Sequence, residues 1–244
     1  MGWKVVRIDF TRELSVECAF SENKGHKKLT NGIAYVVVDK FGNERFAGRT
    51  CVKKVDNPEA ICLVPNYTNG CFLQKEVNTP TDKDNGLAQN SRQTGTKNST
   101  STISITESNL DRAVKYLTLR CELLSGYKKA EWPRMVAVFK QYKITKQLNE
   151  IDIKIALVAA DGVYPKYVHL SMKRLLSFYT VYRLLQSLGN TEIGTVSDDV
   201  KKKDELFIQL YRKTSLSKEE ISVLNQLLDK YGFKKLRAKP DLFQ

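Results

Sequence analysis

The segment from Lys166 to Gly189, KYVHLSMKRLLSFYTVYRLLQSLG, constrains the rest of the chain more than any other stretch. At 100° per residue it lays out as a helix of about six turns. Leu175, Phe178, Tyr179, Tyr182 and Leu185 share one broad face, and Leu170, Val181 and Leu188 form a second apolar line. The remaining arc carries Lys166, Lys173, Ser177, Thr180, Arg183 and Ser187, with Leu176 and Leu184 intruding on it. A helix apolar over most of its circumference has to be packed on several sides. It is therefore expected at the centre of a bundle, with one cationic edge open to solvent. Pro165 bounds its start, and Gly189 suits the residue that follows a helix C-terminus.

Helical periodicity governs everything around that segment, from residue 106 to 244. Ser108 with Asp111 resembles a capping box, and Leu110, Val114, Leu117, Cys121 and Leu124 follow as one stripe. A second helix is predicted to open near Pro133, with Met135, Phe139 and Tyr142 on one face. A third is predicted to open at Asn149, although EIDIKIALV alternates in a way that also suits a strand. Ser197 and the Ser217/Glu220 pair mark two more helix starts, and the tail FKKLRAKPDLFQ is expected to fray.

The first 77 residues have the opposite signature. WKVVRIDF, LSVECAF, IAYVVVD, ICLV and CFLQKEV are short runs rich in β-branched and aromatic residues. Asp39-Lys40-Phe41-Gly42-Asn43 is a turn, with residues 44–47 returning antiparallel. Between the halves, residues 78–105 are Thr, Ser, Asn and Gly with almost no large apolar side chain before Ile103. Such a run cannot bury enough surface to offset its ordering entropy. The expected architecture is α+β: a small β-rich domain at 1–77, a flexible polar linker at 78–105, and a basic helical bundle at 106–244.

Net charge matters to function. The chain carries +13, with 12 Lys/Arg against 9 Asp/Glu in residues 1–77 and 25 against 16 in residues 106–244. An excess of that size favours a polyanionic partner. No run approaches the ~18 apolar residues of a membrane span, and the first residues lack an apolar leader segment. A cytoplasmic protein with no membrane partner is expected. Five cysteines in a reducing compartment do not suggest a disulfide framework.

Catalytic patterns are sparse. The two histidines, His26 and His169, belong to no metal or triad signature, and no phosphate-loop or dinucleotide glycine pattern occurs. The enzyme alternative is a metal-dependent nuclease built on Asp152 and Lys154, whose D-x-K spacing puts both on one face of a strand. No cofactor is expected. The zinc alternative uses Cys18, Cys51, Cys62 and Cys71, with His26 as a substitute ligand, but the gaps of ten and eight residues between the last three are not the short knuckles of a structural site. The basic clusters carry more. Arg45, Arg49, Lys53 and Lys54 flank the hairpin return, and Lys173, Arg174 and Arg183 lie on the central helix. Together they are expected to track a phosphate backbone, DNA or RNA, without reading its sequence.

The hairpin leading into Phe46-Ala47-Gly48-Arg49-Thr50-Cys51 resembles a module of phage- and plasmid-borne proteins. A β-rich, cysteine-bearing front with a basic helical rear is also similar in layout to the compact large subunits of some CRISPR effector complexes. That family's front contacts the DNA motif beside the target, and its bundle lies along the guide–target duplex. The resemblance implies a subunit of a nucleoprotein complex in antiviral defence, with further protein subunits as partners. It carries over no functional residue, and the paired cysteines of zinc-bearing members are missing. The expected function is non-catalytic nucleic-acid binding, with the nuclease and a protein-interaction adaptor as alternatives.

Overall fold

The run IAYVVV is dense in β-branched residues, and it forms the middle strand of an antiparallel sheet. In the computed structural model, which describes residues 2–21, 28–73, 108–190, 197–233 and 235–244, the sheet comprises β1 (Lys4–Phe10), β2 (Ile33–Val38) and β3 (Glu44–Ala47) in that spatial order. β1 runs from Lys4 opposite Val38 to Phe10 opposite Ile33, with a bulge between Val5 and Arg7. The β2–β3 turn is held by Asp39, whose Oδ1 accepts from the Phe41 and Asn43 amides at 2.8 and 2.9 Å. Gly42 supplies the positive φ of +85° that this turn requires.

Two of the expected strands take other forms. Residues 14–20 make only isolated bridges, Val16 to Leu29 and Cys18 to Phe46. The first half of ICLV closes a 3₁₀ turn, Pro58–Cys62, and Leu63 and Val64 follow it as turn and bend, with a second 3₁₀ turn at Cys51–Lys54. Proline at the first position of the Pro58 turn, preceded by Asn57 whose Oδ1 accepts from Val5 N at 2.9 Å, outweighs the β-propensity of so short a run. Trp3, Val5, Cys18, Val37, Ala47, Cys51, Val52 and Val55 close a small core here.

All the described helices but the central one begin where the sequence marks their starts. α1 (Asn109–Leu117) starts at Ser108, whose Oγ accepts from Asp111 N at 3.1 Å, and it runs directly into a π-helical turn, Thr118–Leu123. α2 (Pro133–Thr145) has proline in its first turn. α3 (Glu150–Ala160) settles the ambiguous EIDIKIALV as helix, because Asn149 caps it by accepting from Asp152 N at 2.8 Å. α4 (Met172–Gly189), α5 (Ser197–Lys213) and α6 (Lys218–Lys230) follow, the last with a complete Ser217/Glu220 capping box. None of the described helices is long and apolar enough to cross a membrane.

α4 is central, but it is shorter than the sequence segment. Pro165–Leu170 is a 3₁₀ turn, and Ser171 caps the helix by accepting from Arg174 N at 3.4 Å. Leu175, Phe178, Tyr179, Val181, Leu184, Leu185 and Leu188 are all buried. The polar arc is not an open edge, because Ser177, Thr180, Arg183 and Ser187 are buried as well. The N-terminal half and the C-terminal tail cover that arc. Ser177 Oγ donates to Leu242 O at 2.6 Å, and Tyr179 OH donates to the Asp9 carboxylate at 2.9 Å. The tail does not fray. Leu236–Ala238 forms β5, paired antiparallel with β4 (Cys71–Leu73), and Leu236, Ala238 and Leu242 are buried. Phe10 and Tyr67 consequently belong to the same large core as the helices. The expected linker 78–105 lies outside the described residues.

Candidate nucleic-acid interface

Four of the predicted cations lie within ten residues of one another along the chain, although Arg45 and Arg49 border different grooves. Arg45 on β3 and Arg49, Lys53 and Lys54 just beyond it are exposed, and none pairs with a carboxylate among the described residues. Arg49 also lines a polar groove of about 580 Å³ with Asn31, Asn66, Asn69 and Lys239, at the seam where β4 meets β5.

The cations of α4 divide differently. Lys173 is exposed. Arg174 is half-buried and donates Nη1 to the Phe243 carbonyl, so it fastens the tail. Arg183 is only 5 % exposed. It lies over the Tyr179 ring at 5.4 Å and donates to Gln186 Oε1 at 3.2 Å, and burial lowers its pKa from the ordinary value. Arg183 is therefore interior and takes no part in the outer surface, because the β half packs over the arc that carries it.

The four candidate zinc cysteines do not converge. Cys18 and Cys51 are neighbours in the small core, where burial and then the adjacent Cys18 push the Cys51 thiol up. Cys62 is exposed and donates to Glu59 O at 3.4 Å. Cys71 packs against the large core from β4, and burial raises its thiol. Among the described residues, no three His, Cys, Asp or Glu side chains gather to hold a metal ion. His26 lies outside the described residues.

Asp152 and Lys154 do not form a pair either. On a helix, side chains two residues apart diverge by about 200°. Asp152 is buried against the cap, accepting from Asn149 Nδ2 at 2.7 Å, whereas Lys154 points to another face.

That other face borders a cleft of about 750 Å³ that sequence reasoning missed. α3 supplies one wall with Lys154, Ile155, Val158 and Ala159, at i, i+1, i+4 and i+5. The 3₁₀ turn at 165–170 and the α1–α2 connection supply the others. Trp132 is half-buried in it, and Tyr164 and Tyr167 are exposed at 61 and 51 %. Trp132 and Tyr164 each precede a proline that opens a helical turn. Residues before proline are held extended, which keeps both rings out of the helices and at the cleft.

Arg120 enters the cleft from the π-helical turn at 7 % exposure. Its guanidinium lies over the Trp132 ring at 4.4 Å, Nε donates to Ala130 O at 2.8 Å, and Nη1 donates to Tyr116 OH at 2.9 Å. Tyr116 OH donates in turn to Leu170 O at 2.9 Å, which ties the π-helical turn and the α1–α2 connection to the 3₁₀ turn at 165–170. No carboxylate pairs with Arg120 among the described residues. Lys129 borders the cleft but is committed to the α5 C-terminus, donating to the Tyr211 and Arg212 carbonyls at 2.8 and 3.0 Å. Lys166 sits over the Tyr167 ring at 5.6 Å, and His169 is half-buried beside it. Two pre-proline aromatics close to lysines were the sequence signal for this site.

No protein-family model, curated protein or solved structure matches this chain.

Proposed function

We propose that the protein is a non-catalytic nucleic-acid-binding protein that grips the phosphate backbone, acting in the cytoplasm as one subunit of a larger nucleoprotein assembly. The observation that carries this reading is the run Arg45, Arg49, Lys53 and Lys54, exposed and without carboxylate partners among the described residues. Exposed cations left unpaired within a ten-residue run suit counterion release from a polyanion better than intramolecular stabilisation. The layout resemblance to CRISPR effector subunits makes antiviral defence the process to examine. The nuclease alternative loses its motivation with the divergence of Asp152 and Lys154.

The test is a fluorescence-anisotropy titration of the full chain against duplex DNA, single-stranded DNA and RNA at several salt concentrations. Binding should weaken steeply with salt. Reversing charge at all four positions together should weaken it for every sequence, and should flatten the log–log slope by about one for each phosphate no longer neutralised. Unchanged affinity and slope in the variant would remove this surface. No binding by the native chain even at low salt would refute the function.

A further inference from the structure

We propose that the cleft between α3, the 3₁₀ turn at 165–170 and the α1–α2 connection binds a nucleoside phosphate, either free or as an unpaired nucleotide of a strand. The site is separate from the exposed cation run and extends the reading above to a second mode of recognition.

Three observations point to a ligand that is planar and anionic at once. The first is Arg120. A charged side chain at 7 % exposure is normally paired, and this one has a tyrosine hydroxyl, a carbonyl and an indole face but no counter-charge among the described residues. An anion entering the cleft supplies the counter-charge. The second is the aromatic lining. Trp132 comes from the α1–α2 connection and Tyr164 and Tyr167 from the segment around the 3₁₀ turn at 165–170, to one opening, and the two tyrosines are more than half exposed. Aromatic faces held at a cleft are stacking platforms that every base can use. With Arg120 already against Trp132, the guanidinium and the indole offer flat surfaces on which a base can continue the stack. The third is the balance of charge. Lys154 and Lys166 stand exposed at the rim, and Glu131 is the only carboxylate among the lining residues. The two lysines suit a phosphate, and Glu131 can accept from the amino or imino group of a base. The volume of about 750 Å³ falls within the range of small-molecule pockets. The π-helical turn that aims Arg120 inward belongs to a rare class of backbone feature, frequent at functional sites. An aliphatic ligand would leave the cations without purpose, and a sugar phosphate would leave the rings without one.

The proposal is tested by calorimetric titration of the full chain with the four ribonucleoside monophosphates, with ribose 5-phosphate, and with a single strand and a blunt duplex of equal length. Nucleoside monophosphates, the single strand or both should bind, and ribose 5-phosphate should not. Binding of the monophosphates identifies a free nucleotide as a ligand, and binding of the strand alone identifies an unpaired nucleotide. Tyr164→Ala/Tyr167→Ala changes two exposed rings and should keep the fold by circular dichroism. It should weaken nucleotide or single-strand binding about tenfold, the size expected when one base stack is removed. Lys154→Glu/Lys166→Glu should weaken it similarly. Duplex binding through Arg45, Arg49, Lys53 and Lys54 should survive the tyrosine changes, and the four-site charge reversal should leave monophosphate binding intact, so either surface can fail alone. The proposal is overturned if neither monophosphates nor the single strand bind, if ribose 5-phosphate binds as tightly as the nucleotides, or if the tyrosine variant binds like the native chain.

Discussion

Asp9 is the side chain on which the two halves of the chain meet. It lies on β1 at 1 % exposure and accepts from Tyr179 OH at 2.9 Å, Phe10 N at 2.8 Å and Arg7 Nε at 3.1 Å. Arg7 also grips Glu44 with both terminal nitrogens, at 2.6 and 2.7 Å, and that bond holds the Glu44 carboxyl below its ordinary pKa. A buried carboxylate stripped of one donor keeps its desolvation cost and loses the compensation. Tyr179→Phe should therefore destabilise the protein by about 1.5–3 kcal/mol, the range for a hydrogen bond to a charged group. Urea unfolding followed by circular dichroism measures it. A variant as stable as the native chain would mean that the Asp9 hydrogen bond contributes nothing to holding β1 on α4. The pair is separated by 170 positions, and no local pattern announces it.

Elements divide into those the sequence specifies locally and those that depend on a distant partner. Ser108, Asn149 and Ser217 mark three helix starts because a cap is a hydrogen bond within one turn. The fold class, the 39–43 turn and the burial of α4 were legible for the same reason. The β4–β5 pairing was not, since a basic tail becomes a strand only when Cys71 lies opposite Ala238. Nor was the closure of the polar arc on α4, or the cleft, where residues from 120 to 170 meet only after α1 and α3 pack. That closure can be tested at Gly70. A Cβ there would lie 2.9 Å from Thr180 Cβ and 2.7 Å from Leu242 Cδ1. Gly70→Ala should cost about 1–3 kcal/mol through overpacking. Thr180 Oγ1 is buried with no hydrogen-bond partner among the described residues, so Thr180→Ala alone should change little. Combined with Gly70→Ala it should recover part of the loss, and a double-mutant cycle of urea midpoints measures the coupling. Strict additivity would show that the two sites do not touch.

For the molecule as a whole, the seam between the sheet and the bundle is built from aromatic rings. Tyr179 meets Phe10 at 6.2 Å and Tyr67 at 6.4 Å between centroids, and Tyr67 OH donates to Lys115 O at 3.2 Å. At the adjacent position of α4, Phe178 stacks on Tyr127 at 4.1 Å. Burial raises the hydroxyl pKa of Tyr67, Tyr116 and Tyr179 above the ordinary value, with the Asp9 carboxylate adding to the shift at Tyr179, and pushes Tyr127 up to about 12. A raised folded-state pKa means that the native protein holds protons which the unfolded chain releases once the pH passes about 10. The stability these groups contribute is complete below that pH and is lost as the pH rises beyond it. Phenolate absorbance followed through an alkaline titration should show a late population containing Tyr67, Tyr116, Tyr127 and Tyr179, which ionises only as circular dichroism reports unfolding. In concentrated urea these residues should ionise at pH ~10. Substituting Tyr127 or Tyr67 by Phe should shrink the late population by one residue each. If Tyr67 and Tyr179 of the folded protein titrated at the ordinary pH, the aromatic seam would be open to water, and the packing of Phe10 and Tyr67 onto α4 would be wrong.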